Sequence, residues 1–210
     1  MSGFDYEKLA WDMGFRLIAG VDEVGRGPLG GPVVCCAVIM PLDEPIDGVD
    51  DSKKLSAKKR ELLAEEIKKR AIACSIFRVE SDEIDRINIL NAVKKCMTGA
   101  VEGLSVRPDI VLVDGLDIGL PFQAKYIAKG DALSYTIGCA SIVAKVYRDR
   151  LMEEYAAVYP AYGFEQHKGY GTKRHIEAIR EVGPCAITRR TFIRNFWDGR
   201  EDARPKSATK

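Results

Sequence analysis

The sequence predicts an α/β fold, a mixed sheet covered by helices with a small helical extension at its C-terminal end. Three observations predict it. Strand-like segments at 16–23, 32–40 and 71–79 come early, and helix–strand alternation follows them. Segment 32–40 is continuously apolar and rich in β-branched residues, as a strand buried on both faces should be. Beyond Pro160 the composition turns to Tyr, Gly, Lys and Arg before one more short helical pattern at 172–182.

The elements read in order. Tyr6, Leu9, Ala10 and Met13 make a short amphipathic start, and the first strand, 16–23, ends in Val21-Asp22-Glu23. A glycine-rich turn separates it from the strand at 32–40. Segment 41–51 holds two prolines, a glycine and five acids, and reads as a surface loop. Ser56 is placed to cap the next helix, whose apolar stripe is Leu62, Leu63 and Ile67 and whose i,i+4 ion pairs are Glu65–Lys69 and Glu66–Arg70. After the strand at 71–79, one helix is expected over 84–101, with Ile84, Ile87, Leu90, Val93 and Met97 at helical spacing. Pro108 stops it, and a short buried strand, 109–114, ends on an acid and a glycine. A fifth strand is expected at 122–127. One long helix is expected over 131–159, with Ile137, Ala140, Ala144, Tyr147, Leu151 and Tyr155 on one face. Its small residues Gly138, Cys139, Ala140, Ser141 and Ala144 allow close packing against a sheet or a ligand. The expected organisation is a catalytic domain over 1–160, a helical substrate-binding extension over 161–197 and a polar, disordered tail over 198–210.

Composition excludes several function classes. The 210 residues are 46% hydrophobic and 30% charged, enough for a real core in one domain with a small appendage. A net charge of +1 argues against coating nucleic acid by bulk charge, so any polyanion contact must be local. No apolar run reaches a spanning length and the start is mixed and acidic, so a cytoplasmic protein is expected. The six cysteines form no C-x-x-C pair and read as reduced, buried thiols. The two histidines lie eight apart with no cysteine nearby, which disfavours zinc.

Asp22 and Glu23 end the first strand, Asp114 ends the fourth, and Asp131 opens the long helix. Open α/β sheets bind ligands beyond the carboxyl ends of their strands. If strands one and four are parallel neighbours, these acids meet at one edge. Converging carboxylates repel, and such a cleft persists only with protonation or divalent cations; all-oxygen donors favour Mg²⁺ or Mn²⁺. Each acid alone has a plainer reading: Asp131 as a helix cap, Asp114 as a turn starter, Glu23 on the wrong face of a regular strand. Together they favour a metal cleft. The turn at 25–30 is a literal G-x-G-x-x-G, but a strand follows where a dinucleotide fold needs a helix, so it reads as a hairpin. Its backbone and Arg26 remain able to approach a sugar–phosphate. Basic residues cluster at Lys53, Lys54, Lys58, Lys59 and Arg60. A second group, Lys168, Lys173, Arg174, Arg189, Arg190 and Arg194, is interleaved with Tyr159, Tyr162, Tyr170, Phe192 and Phe196, a mixture suited to phosphate contact and stacking.

Five blocks, GVDEVGRGPLGGPVV at 20–34, DSKKLS at 51–56, KGDA at 129–132, ASIVAKVYRD at 140–149 and KGYGT at 168–172, resemble the signature blocks of ribonuclease HII, in that family's order. The likeness spans about residues 15–195. It implies a ribonuclease H-like fold, a five-stranded mixed sheet flanked by helices with a C-terminal helical extension. It also implies an endonuclease that cuts the RNA strand of RNA–DNA hybrids and incises 5′ to single ribonucleotides in duplex DNA, leaving 3′-hydroxyl and 5′-phosphate ends. The family's catalytic, metal-binding acids fall on Asp22, Glu23, Asp114 and Asp131, with two Mg²⁺ or Mn²⁺ ions in catalysis. Its substrate-sensing turn falls on Gly25, Arg26 and Gly27 and its tyrosine on Tyr170. Lys53, Lys54, Ser141, Lys145 and Lys168, inside the matching blocks, are further expected substrate contacts, and a monomer acting in ribonucleotide excision repair is expected. Cys139 stands where the family usually has alanine, and Thr188 where histidine is frequent. A junction resolvase on the same fold, or a hybrid-binding protein without catalysis, are the competing readings; the turn and the Lys-Gly-Tyr block disfavour the first, and the four acids disfavour the second.

Overall fold

The computed structural model describes residues 3–197; the predicted tail at 198–210 lies outside the described residues. The sheet has five strands in the order β3-β2-β1-β4-β5. β1 (Ile18–Val24) and β2 (Val33–Ile39) form an antiparallel hairpin around the glycine turn, and β3 (Ala73–Val79) extends it antiparallel to β2. On the other side β4 (Ile110–Asp114) runs parallel to β1, and β5 (Ala124–Ile127) parallel to β4. Every residue of β2 is buried, which is why its sequence is apolar without alternation.

Alternation sorts the strand side chains between two helical layers. Val21, Val33, Cys35, Ala37, Val111 and Val113 face α4 (Ile89–Glu102). Cys36 and Val38 face α2 (Ala57–Arg70) and α6 (Tyr135–Val158). Ser56 caps α2 by accepting from the Lys59 amide at 3.3 Å, worth about 1 kcal/mol. The buried stripe of α2 is Leu63, Ala64 and Ile67, whereas Leu62 is exposed. Of the two ion pairs expected there, Glu66–Arg70 forms at 3.1 Å, and Glu65 instead meets Lys68 at 2.7 Å.

Two helices expected to be continuous are broken. The 84–101 segment is α3 (Ser81–Ile87) and α4, divided at Asn88, whose φ of 66° leaves the helical region. Its side chain then accepts from the Asn91 amide and starts α4 afresh. Leu90, counted in the apolar stripe, is exposed because the break rotates the face. The 131–159 segment likewise divides into a single turn, α5 (Gly130–Leu133), and α6, with extended Ser134 accepting from the Ile137 amide. α1 (Asp5–Asp12) packs beside this junction. After α6 come α7 (Phe164–His167) and α8 (Lys173–Val182), the latter capped by Thr172. They enclose a second small core of Met152, Tyr162, Phe164, Ile179, Ile187 and Ile193. No helix among the described residues is long and apolar enough to cross a membrane, and the six cysteines are free thiols.

Candidate active site

The parallel pairing of β1 with β4 ends at Val21↔Val113, so Asp22 and Asp114 are the next residues on neighbouring strands, at the carboxyl edge. Asp22 shares a face with Ile18, and Asp114 with Ile110 and Leu112; that face packs on Ile137 of α6. Glu23 stays in register opposite Cys35 without a break, so it lies on the other face by alternation. It still reaches the edge, because β1 has no β4 partner beyond Val21. The Gly130 amide donates to Asp114 Oδ1 at 2.5 Å and docks the turn of α5 that carries Asp131. A Cβ at residue 130 would stand 2.7 Å from Ile137 Cδ1 and 3.3 Å from Asp114 Oδ1, so a larger residue would press on both side chains.

The electrostatics record the crowding. Burial pushes the Asp22 carboxyl well above the usual range, and Glu23, Asp114 and Asp131 push it further, against a hydrogen bond from Ser141. Burial and Asp114 raise Glu23 to about 7, while Arg26 and Lys53 draw it back. Asp114 is raised by burial and by Asp131, with the amides of Gly130 and Asp131 opposing. Asp131, 6% exposed, receives the Lys53 ammonium at 3.1 Å. Among the described residues no three His, Cys, Asp or Glu side chains form a ready-made metal cage; the acids use oxygens on internal donors instead. The donor set is nevertheless hard oxygen throughout and short of positive charge, which fits Mg²⁺ or Mn²⁺.

The turn beyond β1 flanks this edge. Gly25, at φ 91°, is buried, while Arg26 and Gly27 are exposed. Tyr170, 44% exposed, stands against the turn, its ring 4.0 Å from where a Gly27 Cβ would be. Ser141 is buried on α6 behind Asp22, its hydroxyl 3.0 Å from that of Ser52. Lys53 joins the acids, whereas Lys54 lies 3.5 Å from Asp50. Lys145 and Lys168 are tied to Asp149 and Glu153, each at 2.6 Å, and do not reach the acid cluster.

The basic and aromatic residues of the extension are not one surface. Arg189 is fully buried, Tyr162 belongs to the second core, and Tyr170 alone of the named aromatics is strongly exposed. Four residues that support the site are not among the candidates the sequence offers for it: Glu7, Ser52, Arg148 and Arg189. All are buried. Ser52 and Arg148 lie inside the DSKKLS and ASIVAKVYRD blocks, which is the signal that could have found them; Arg189 stands in the second basic group, and Glu7 carries no signal.

The family model described as Ribonuclease HII matches residues 19–199. The chain belongs to that family. Ribonuclease HII from Caldicellulosiruptor bescii is 54% identical over 194 residues, covering 92% of this chain and 94% of that one. The Bacillus subtilis protein of the same name is 54% identical over 187 residues, covering 89% and 73%. Among solved structures, ribonuclease H2 from Pyrococcus horikoshii superposes with a TM-score of 0.71 at 31% identity, covering 84% of this chain and 93% of that chain. Membership of the ribonuclease HII family makes this chain a ribonuclease H, a divalent-metal-dependent endonuclease that hydrolyses phosphodiesters. Its mixed sheet flanked by helices is the ribonuclease H-like architecture.

Proposed function

We propose that this ribonuclease HII cuts the RNA strand of RNA–DNA hybrids and incises 5′ to single ribonucleotides in duplex DNA, leaving 3′-hydroxyl and 5′-phosphate ends. The observation that carries the reading is the juxtaposition at one sheet edge of four acids, an exposed glycine turn and Tyr170. Asp22, Glu23, Asp114 and Asp131 would hold two Mg²⁺ or Mn²⁺ ions. When bound, such ions supply an activated water, neutralise phosphoryl charge and assist the leaving 3′-oxygen.

The protein's own part is orientation. Ser141 fixes Asp22 by a hydrogen bond, and the Gly130 amide fixes Asp114. The turn at Gly25, Arg26 and Gly27 meets the sugar–phosphate with backbone N–H groups, and Tyr170 packs against the ribose, whose 2′-hydroxyl alone marks RNA at that step. Lys53, beside Asp131, and Lys54 bring positive charge to the same side, while Lys145 on α6 and Lys168 after α7 are paired with Asp149 and Glu153 further along α6. The protein acts as a monomer, in the cytoplasm, in removal of misincorporated ribonucleotides.

The test is incision of a duplex bearing one ribonucleotide beside an all-DNA duplex, in Mg²⁺, Mn²⁺ and EDTA. The expected result is a single metal-dependent cut 5′ to the ribonucleotide. Equal cutting of the all-DNA duplex, or wild-type rates from Asp22→Asn, would overturn the reading.

A further inference from the structure

Two arginines, Arg148 on α6 and Arg189 after α8, are completely buried, and neither forms an ion pair among the described residues. Burying a guanidinium without an acid is costly, so its donors must be matched by acceptors. Here all the acceptors are backbone carbonyls. Arg148 donates from Nε to Pro32 (3.0 Å), from one terminal nitrogen to Gly30 (3.1 Å) and from the other to Lys168 (2.9 Å). Arg189 donates from Nε to Gly31 (3.0 Å) and from its terminal nitrogens to Arg26 (2.9 Å) and Gly25 (2.6 Å). The Leu29 carbonyl accepts from the Arg189 amide.

The two forks therefore hold the carbonyls of Gly25 and Arg26 at one end of the hairpin loop and of Gly30, Gly31 and Pro32 at the other. Arg26 and Gly27 are exposed, and their N–H groups have no acceptor among the described residues. Arg148 Nε lies 2.2 Å from where a Gly25 Cβ would be, so the glycine is required by the arginine as well as by its φ. The Lys168 contact extends the grip to the segment that bears Tyr170, reinforced by the Leu29 amide donating to Gly169 and the Gly31 amide to Ile187. Two positive charges lie beneath the loop: burial draws Arg148 to about 10, and burial together with the neighbouring Arg148 draws Arg189 to about 9.

We propose that Arg148 and Arg189 are positioning residues for ribonucleotide recognition, fixing the turn at Gly25–Gly27 and Tyr170 as one rigid unit whose amide edge faces the substrate. This rests on the assignment of that turn to the sugar–phosphate. Neither arginine touches substrate. Their planar forks, which lysine lacks, set the relative placement of turn and tyrosine, and a misplacement near 1 Å is enough for about a hundred-fold loss.

The experiment compares wild type with Arg189→Lys and Arg148→Lys on single-ribonucleotide, long-hybrid and all-DNA duplexes in Mg²⁺. Fold is checked by circular dichroism, and the acid cluster by the thermal shift with Mg²⁺ alone. Expected are a folded protein, an unchanged Mg²⁺ shift, and a preference for the ribonucleotide-bearing duplex reduced about ten-fold or more, chiefly through KM. Folded variants with unchanged preference and KM would overturn the proposal. A second readout needs no variant: the Arg Nε–H resonances of wild type are followed on adding each duplex in EDTA. The resonances of Arg148 and Arg189 should shift with the ribonucleotide duplex and not with the all-DNA duplex; no difference between the two overturns the proposal even if the lysine variants fail to fold. A wild-type enzyme that ignores the ribonucleotide would instead sink the functional reading itself, which separates the two failures.

Discussion

Lys53 and Asp131 are 78 positions apart in the chain, yet the lysine ammonium sits 3.1 Å from Asp131 Oδ2. The carboxylate is nearly buried and the lysine is 79% exposed, so the loop after β2 reaches over the acids from solvent. Lys53 offsets part of their repulsion, and it also competes with any cation that binds there. Lys53→Ala should therefore bind Mg²⁺ more tightly, by about three- to ten-fold, since removing a charge a few ångströms away at the protein surface changes the balance by about 1 kcal/mol. The same variant should raise KM for substrate, because a phosphate-side charge is lost. Metal titration followed by thermal shift, beside initial rates, checks both directions.

Asp22 should trade stability for activity. Its carboxyl is raised by burial and by Glu23, Asp114 and Asp131, so the folded state holds the proton more tightly than the unfolded one. For a raised acid, stability is lost as pH climbs from the unfolded value through the folded one, and the deficit is complete above it. Asp22→Asn removes that deficit while keeping the shape. At pH 8 in EDTA the variant should melt about 2–6 °C above wild type and cleave nothing. Mg²⁺ should raise the wild-type Tm by a few degrees and the variant's by less. A variant that melts lower in EDTA would show that Asp22 is not strained by its neighbours.

Histidine chemistry in the extension gives a pH dependence of the opposite sign. His167 and His175 stack at 4.6 Å. His167 Nε2 lies 2.8 Å from the Tyr162 carbonyl and Nδ1 accepts from the Gly169 amide, while His175 Nδ1 lies 3.0 Å from the Tyr170 carbonyl. Both rings are therefore neutral, each with a fixed tautomer. Burial lowers His175 to about 4. A lowered histidine contributes stability that is complete above its unfolded value near 6.5 and is lost as pH falls toward 4, up to about 3 kcal/mol. His175→Phe should flatten that limb. The measurement is the difference between the two urea-derived stability curves from pH 7.5 to 4.5, which cancels the contribution of the acids.

Much of this arrangement could be read from local pattern. The continuous apolar, β-branched run after the G-x-G-x-x-G at 25–30 is strand chemistry, and β2 does follow the turn as a strand. The acids at strand and helix ends were visible because their positions depend only on where elements stop. The breaks at Asn88 and Ser134 were hidden, since each interrupts an apolar periodicity that continues on both sides. The buried charges were hidden more deeply. Arg148, Arg189 and Glu7 look like surface residues in sequence, and most of their acceptors or donors lie more than a hundred positions away. No local rule reports a carbonyl brought in by the fold.

Glu7 shows what such a residue does for the site. It is fully buried on α1, and its Oε1 accepts from the Ser134 hydroxyl at 2.6 Å and from the Thr136 amide and hydroxyl, both at 2.9 Å. Those groups are the start of α6, where a carboxylate meets free amides and the positive end of the helix dipole. The joint it clamps lies between α6 and the turn of α5 carrying Asp131. Glu7→Ala leaves these donors unmatched in a dry site and should cost about 2–4 kcal/mol, a fall in Tm of about 5–12 °C. Glu7→Gln keeps an acceptor oxygen and loses only the charge, so it should cost about 1 kcal/mol. Because Asp131 rides on the same joint, the Mg²⁺-induced rise in Tm should shrink in Glu7→Ala and persist in Glu7→Gln. Differential scanning calorimetry of the three proteins with and without Mg²⁺ decides it, and an undiminished Mg²⁺ response in Glu7→Ala would show that the clamp holds the fold and not the acid.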